Sequence, residues 1–466
     1  MFKVNRWRWH HRAVLGCALS LFLTNLAAGA QQISAGPDAS SANGSTTTAR
    51  GGKSEPTIDE MLETIKRLEE RVRELERVTA TQPSAKMAAT APTIADPSTA
   101  AATAAVKVVD SKKEEDKEEE EKQNNGILSF FRATEITGFV DAYYGYNFNR
   151  PVNDTQLRNF DTKHNQFSFN VAEIALEKRP VPDSRLGFRM DLNFGPTTDI
   201  VHSFEPAGSE TFRHLQQAYI SYMAPAGKGL QLDVGKFVTP IGAEVIETKD
   251  NWNYSRSLLF ALAIPYYHFG LRATYPVSDK LSLSGFVVNG WNNVVDNNSR
   301  KSYGAQAIVK PTSKLTIIQN YMGGPEQIGN NDDWRHLWDT TVTYAVNPTL
   351  TLMGNYDYGF DRVAGARVHW QGFAAYAKVQ ANSWLAIAPR FEWYNDHDGF
   401  TTGAVQSVKD FTLTSEHKIS NGLITRLEYR RDFSDADFFL KPTRLVKAQS
   451  TLSFGLVYAF SSKGEQ

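Results

Sequence analysis

Residues 186–194 read LGFRMDLNF, a run in which apolar and polar side chains alternate. Successive side chains of a β-strand point to opposite faces, so the apolar members of this run share one face. The other face carries Arg189, Asp191 and Asn193. A period of two, with one apolar and one charged face, predicts a half-buried strand rather than a helix.

The same alternation continues along the chain after residue 134. It is clearest in residues 135–148, 268–275, 350–358, 385–393 and 423–430. Counting all such segments predicts about 16 strands, and an even number is usual for a bacterial outer-membrane barrel.

Soluble β-sandwiches are built from similar strands, with their apolar faces turned toward each other. Three features favour a membrane barrel with its apolar faces outward. The polar faces combine Arg with Glu, as a hydrated lumen does; aromatic residues cluster near strand ends; and short and long connections alternate. We therefore expect an all-β fold, a closed up-and-down antiparallel transmembrane β-barrel over residues 135–460, with a C-terminal tail at 461–466.

The connections form two sets, as they do in outer-membrane barrels. The short ones are rich in Pro, Asn, Gly and Ser, as turns are: residues 178–185, 225–229, 276–280, 311–314, 346–349, 381–383 and 419–422. The long ones are residues 151–165, 196–212, 238–264, 290–301, 323–333 and 432–445.

Composition excludes several other classes of protein. The 466 residues carry 50 Lys and Arg against 51 Asp and Glu, so no basic excess points to a nucleic-acid partner. The single cysteine excludes a disulfide framework and a Cys-based zinc site. After the N-terminal segment no 18 apolar residues are consecutive, so a membrane protein of this sequence would have to span the bilayer with strands.

The first 30 residues have the pattern of a secretory signal peptide. Residues 1–12 are basic, residues 13–26 are mostly apolar, and Ala28-Gly29-Ala30 supplies small residues for cleavage. Residues 31–56 have no aromatic residue and are expected to be disordered.

Residues 57–78 are predicted to form a short α-helical coiled coil. Thr57 and Glu60 have the spacing of a capping box. The seam repeats in steps of three and four: Ile58, Met61, Ile65, Leu68, Val72 and Leu75. A lone helix with so narrow a seam is marginal in water, so we expect it to self-associate, with docking on the barrel as the alternative. The seam itself favours a dimer.

A flexible linker is predicted over residues 79–134. Its first part is mostly Ala, Thr, Pro and Ser, and a run of mixed charge follows at residues 112–121. Such a composition buries too little apolar surface to become ordered. The acidic run is read as a solvated spacer, with binding of cations or basic partners as the alternative.

Several segments together resemble a known family. They are residues 235–237 (GKF), 240–244 (PIGAE), 253–257 (NYSRS), 267–270 (YHFG), 289–291 (NGW) and 323–326 (GGPE). They are similar to the OmpL-like family of outer-membrane β-barrel porins, over residues 137–460. Residues 453–460 (SFGLVYAF) resemble the C-terminal signal that barrel-assembly machinery reads. The resemblance implies a pore in the outer membrane of a diderm bacterium, with the N-terminal head in the periplasm.

Resemblance to trimeric porins further implies a homotrimer in outer-membrane lipid and a third outer loop that folds inward to narrow the channel. The longest connection, residues 238–264, is that loop. Carried over to it, the constriction candidates are Glu244, Lys249, Asp250 and Arg256. Opposed charges across a narrow lumen order water and filter solutes. The alternative is that ion pairs of the loop only hold it against the wall.

Charged residues on the inward faces are predicted to line the pore. They are Arg189, Asp191, Arg272, Arg390, Glu392, Arg426, Glu428 and Arg430. Inward cations and anions nearly balance along the strands, which predicts weak ion selectivity. Eight strands would fill with side chains, whereas about 16 leave an aqueous lumen. We therefore predict a passive diffusion channel for small hydrophilic solutes or ions that needs no cofactor and no metal.

Two other classes of function stay open at this level. One is a structural envelope tether that contacts the cell wall through the coil. The other is a barrel enzyme, although no Ser–His–acid arrangement is visible in the sequence order. Residues 330–333 and 395–399 are acidic enough to suggest calcium, but both are ordinary turn sequences as well.

Overall fold

The computed structural model describes residues 132–152, 154–363 and 365–464. The predicted signal peptide, disordered segment and coiled coil with its seam therefore lie outside the described residues, as does the predicted linker up to residue 131. The predictions made for these segments stay predictions.

Sixteen antiparallel strands form one closed barrel, in which each strand pairs with its neighbours in sequence and the last strand pairs with β1. The first eight are β1 (Glu135–Asn147), β2 (Gln166–Lys178), β3 (Leu186–Phe194), β4 (Leu215–Ala224), β5 (Leu230–Val238), β6 (Tyr267–Ser278), β7 (Leu281–Val288) and β8 (Ser302–Thr312). They are followed by β9 (Leu315–Pro325), β10 (Trp334–Asn347), β11 (Leu350–Val363), β12 (Ala366–Gln380), β13 (Leu385–Asp396), β14 (Gln406–Ser420), β15 (Leu423–Ser434) and β18 (Ala448–Ser461). The predicted up-and-down barrel and its strand number are confirmed.

Short elements lie within the long connections. Two strands, β16 (Phe439–Lys441) and β17 (Arg444–Val446), form a hairpin between β15 and β18. The helices are α1 (Pro196–Val201), α2 (Ser209–Phe212), α3 (Leu258–Leu262) and a 3₁₀ turn at Thr248–Asp250. Across the described part of the chain, no helix has the length and apolar character needed to cross a bilayer.

The alternation predicted from sequence sets the two faces of the wall. Leu271, Leu427 and Leu456 are among the large apolar side chains exposed on the outer face. Their polar neighbours turn inward, and Asp141 and Glu428 are almost completely buried inside the barrel. A slip of one residue in any pairing would turn these charges toward lipid, which fixes the register.

The seven predicted short turns are confirmed at one end of the barrel, and the six predicted long connections lie at the other. One connection at the long-loop end differs from the expected pattern, because β11 and β12 are joined only by residues 364 and 365. These strands pair as far as Val363 and Ala366, and Gly365 adopts a φ of +83° that few other residues accept. A two-residue hairpin therefore replaces a loop there.

The apolar core lies inside the barrel rather than between two layers. It joins side chains of the long connections, such as Phe160, Ile246 and Leu259, to inward residues of the wall, such as Phe286 and Trp370. The long connections therefore fold into the barrel.

A charge placed on the outer face tests this assignment. Leu271→Arg should lower the free energy of unfolding by about 2–4 kcal/mol, because an arginine near the middle of the bilayer loses its hydration. Urea unfolding of the barrel refolded in lipid vesicles measures the effect. Thr274→Arg is the matched control on the inner face of the same strand, beside Ser284, and should cost no more than about 1 kcal/mol. Equal losses for both variants would show that the faces are misassigned.

Candidate functional site

The third long connection, residues 239–266, crosses the lumen; we call it the crossing loop. At its start, the Pro240 carbonyl accepts a hydrogen bond from Gln306 Nε2 on β8 at 2.9 Å. In its middle, Thr248 Oγ1 donates to Asp141 on β1 at 2.6 Å. Near its end, the Ala263 carbonyl accepts from Trp370 Nε1 on β12 at 3.2 Å. The loop thus touches widely separated parts of the wall.

Three wall arginines bind the main chain of the crossing loop. Arg390 Nη1 donates to the Ser255 carbonyl at 2.7 Å, and Arg430 Nη1 donates to the Arg256 carbonyl at 2.7 Å. Arg426 donates to the carbonyls of Thr248 and Asn251, both at 2.6 Å. These contacts satisfy loop carbonyls that would otherwise be buried without a partner.

Two wall glutamates bind the N–H groups of the same segment. Glu428 accepts from the backbone N–H groups of Tyr254 at 2.7 Å and Ser255 at 2.9 Å. Glu392 accepts from the N–H of Leu258, at the start of α3, at 2.6 Å. A carboxylate at a helix start also interacts favourably with the helix dipole. Charges of both signs on β13 and β15 therefore act as partners for the loop backbone.

Glycines in the wall make room for the loop. A Cβ at Gly455 would lie 2.3 Å from Cδ2 of Tyr254, and one at Gly372 would lie 2.8 Å from Cδ1 of Leu259. The Tyr254 hydroxyl also donates to Asp141 at 2.9 Å. Any larger residue at Gly455 would have to displace this buried ring.

Two of the four constriction candidates are buried and hold the loop together. Glu244 accepts from the N–H of Ser257 at 2.6 Å and lies 3.1 Å from Arg390 Nη1. Arg256 donates to the carbonyls of Val245 at 2.9 Å and Ile246 at 2.6 Å. These contacts match the alternative reading, in which charged residues of the loop fix it in place.

The other two candidates, Lys249 and Asp250, lie in the 3₁₀ turn and pair with each other at 2.5 Å. Their side chains keep 27% and 53% exposure, so they face water. Lys249 interacts electrostatically with Glu173 on β2, and Asp250 with the neighbouring Glu247. We call residues 247–250 the loop tip; it lies beside the wall formed by β2 and β3.

The predicted pore-lining residues fall into two groups. Arg189, which lies 3.0 Å from Asp191, and Arg272, which lies 2.8 Å from Asp233, keep 28% and 19% side-chain exposure. Asp191 itself is buried. The other five point inward, but the crossing loop covers them and leaves at most 1% exposed: Arg390, Glu392, Arg426, Glu428 and Arg430. Among the predicted pore-lining residues, the accessible ones therefore lie on β3 and β6.

Sequence reasoning missed Glu173 and Glu247. Glu173 follows an irregularity at which the β1–β2 register shifts, so the period of two breaks there. Burial, together with the nearby Asp191 carboxylate, raises the pKa of Glu247, even though a backbone hydrogen bond and Arg189 act in the opposite direction. Glu247 could have been found from the sequence, because it lies in the longest connection, two residues before the candidate Lys249.

The acidic loops proposed for calcium act as turns. Asn330 Oδ1 accepts from the N–H groups of Asp332 and Asp333. Asp396 accepts from the N–H groups of Phe400, Thr401 and Thr402. Both acceptors are already occupied within their own loops.

Comparison with known proteins agrees with this architecture. A family model described as "Putative beta-barrel porin-2, OmpL-like" matches residues 133–460. An anion-selective porin from Comamonas acidovorans has 10% identity and a TM-score of 0.50, covering 70% of this chain and 99% of its own. OmpT of Vibrio cholerae and the outer-membrane channel DcaP of Acinetobacter baumannii each have 11% identity and a TM-score of 0.48, covering 70% of this chain and 97% of theirs.

A search of curated protein sequences gives no match. The family model covers well over half of the chain, and the barrel has the fold of a solved porin. The chain therefore belongs to the OmpL-like family of β-barrel porins and is an outer-membrane porin.

Proposed function

We propose that the protein is a passive diffusion channel whose solutes pass between the loop tip and the wall formed by β2–β6. The contrast in exposure carries this proposal. Wall charges on β13 and β15 are buried under the crossing loop, whereas Arg189, Arg272, Lys249 and Asp250 stay partly exposed. Of these charges, those of the loop tip and of β3 and β6 are therefore the ones that solutes can contact.

Solutes on this route meet charges of both signs. The loop tip supplies Lys249 and Asp250, and the wall supplies Arg189 and Arg272 beside their acidic partners. A field across a narrow passage orders water and disfavours apolar solutes, which suits small hydrophilic molecules and ions. Since each exposed arginine lies beside an acidic side chain, we expect weak ion selectivity.

The two alternative functions are less well supported. Wall residues that would suit acid–base chemistry, Glu392 and Glu428, already bind loop N–H groups. We therefore infer that the protein is not an enzyme. A tether role needs only the N-terminal head, and it is compatible with a channel.

We also propose the arrangement of the whole chain. The short-turn end and the N-terminal head face the periplasm, and barrel-assembly machinery reads residues 453–460 in β18. Three barrels associate, and the coil predicted at residues 57–78 contacts its own copies or the cell wall. Trimerisation and this orientation rest on the sequence resemblance.

Single-channel recording tests the proposed route. The full chain should give stepwise ohmic conductance in planar bilayers. Lys249→Ala should shift the reversal potential in a salt gradient toward cation preference, and Asp250→Ala should shift it toward anions, because each removes one charge from the passage. Conductance of the double variant should rise, on the order of twofold at most.

A second lysine–aspartate pair provides the control. Lys301 and Asp296 pair on another long connection, so Lys301→Ala and Asp296→Ala should leave both readouts unchanged. Silent folded barrels would contradict the channel. Normal conductance with no opposite shifts for the two single variants would contradict the route.

Limited proteolysis tests whether the wall holds the loop. Arg390→Met should expose the bond after Arg256 to trypsin, because breaking one side of a buried ion pair costs about 3–5 kcal/mol. Arg272→Met is the control, since Arg272 pairs with Asp233 on the wall. The appearance of the cleaved fragment is followed by mass spectrometry. Equal protection in both variants would show that Arg390 does not hold the loop.

Native mass spectrometry tests the proposed assembly. The full chain and a form lacking residues 57–78 should both be trimeric if the barrels hold the trimer and the coil is a tether. Loss of the trimer only in the shortened form would assign association to the coil. Monomers in both cases would show that the protein does not associate.

A further inference from the structure

A second cluster of titratable residues lies at the rim of the barrel, away from the crossing loop. His369 is near the start of β12, and His397 and Asp398 follow the end of β13. Pairing of Trp370 with Asp396 brings these two positions side by side, although 28 residues separate His369 from His397.

One carboxylate faces both imidazoles. Asp398 Oδ2 lies 2.9 Å from His369 Nδ1, and Asp398 Oδ1 lies 3.0 Å from His397 Nδ1. The two rings stack with centroids 4.4 Å apart. The backbone N–H of His369 also donates to Asp398 at 2.8 Å, which helps to hold the carboxylate beside both Nδ1 atoms.

The ligand atoms of the three side chains lie within 4.8 Å of one another. A zinc ion binds nitrogen and oxygen ligands at about 2.0–2.1 Å, which places neighbouring ligands about 3.3 Å apart. The observed separations of 2.9 and 3.0 Å between carboxylate and imidazole atoms are close to that value. Small rotations of the side chains would admit an ion in place of the two Nδ1 protons.

We propose that His369, His397 and Asp398 bind a divalent transition-metal ion such as Zn²⁺ at the long-loop rim of the barrel. Two imidazoles and one carboxylate suit zinc, copper or nickel, whereas calcium and magnesium prefer oxygen ligands alone. Water completes the coordination, because the His397 side chain is 60% exposed.

Bound metal would join the connection between β13 and β14 to the edge of β12. Asp396, two residues before Asp398, already orders this connection through three backbone N–H groups. The carboxylate of Asp398 takes no part in that turn and faces the two histidines.

Isothermal titration of the refolded full chain with zinc chloride tests the site. His397→Ala and Asp398→Asn should each weaken zinc binding by at least about 10–100-fold, because losing even a hydrogen-bonding partner of a ligand costs that much. His164→Ala is the control, because this histidine lies on the first long connection and accepts from the Asn147 N–H. It should leave the affinity unchanged. Heat-modifiable migration on gels shows that each variant is folded.

X-ray absorption at the zinc edge gives an independent readout, with two imidazoles and oxygen ligands expected. Unchanged zinc affinity in both site variants would overturn the proposal. The absence of saturable zinc binding, or equal affinity for calcium chloride, would overturn it as well.

Discussion

The interior of this barrel depends on hydrogen bonds between charged side chains of the wall and the backbone of the crossing loop. A loop inside a barrel buries carbonyl and N–H groups that regular structure cannot pair, and each unpaired group is costly. Arg390, Arg426 and Arg430 supply donors for the carbonyls, while Glu392 and Glu428 supply acceptors for the N–H groups. These charged side chains also gain hydrogen-bond partners, which offset the cost of burying them.

This pairing divides the lumen into two sides. On β13 and β15, polar side chains, small wall residues such as Gly455 and the apolar residues of the loop fill the space as a packed core. On β3 and β6, Arg189 and Arg272 pair with acids of the wall itself and keep part of their side chains exposed. Arginines on both sides pair with acids of the wall, and those on β13 and β15 also donate to carbonyls of the crossing loop.

The sequence predicts the barrel well because the pattern that marks each strand lies within that strand and its flanking turns. Alternation at residues 186–194 or 423–430 needs only the two-residue period of a strand, and turn residues mark where each strand ends. Glu244 and Arg256 are predicted as constriction residues, and the structure places both in buried contacts of the loop. Their burial was not predictable, because it depends on Arg390, 146 residues from Glu244 in sequence. Glu173 was missed for a local reason, since the register shift interrupts the alternation that would have marked it.

Counting inward charges along the strands also gives an incomplete description of what a solute meets. Arginines and acids that look equivalent in the alternation differ in exposure, from 28% at Arg189 to 1% at Arg430. A buried charge that is offset by its partner is out of reach of solutes, whereas a side chain that faces water can contact them directly. On the proposed route we therefore expect permeation to depend on the few exposed charges at the loop tip and on β3 and β6, while the charges on β13 and β15 bind the backbone of the crossing loop.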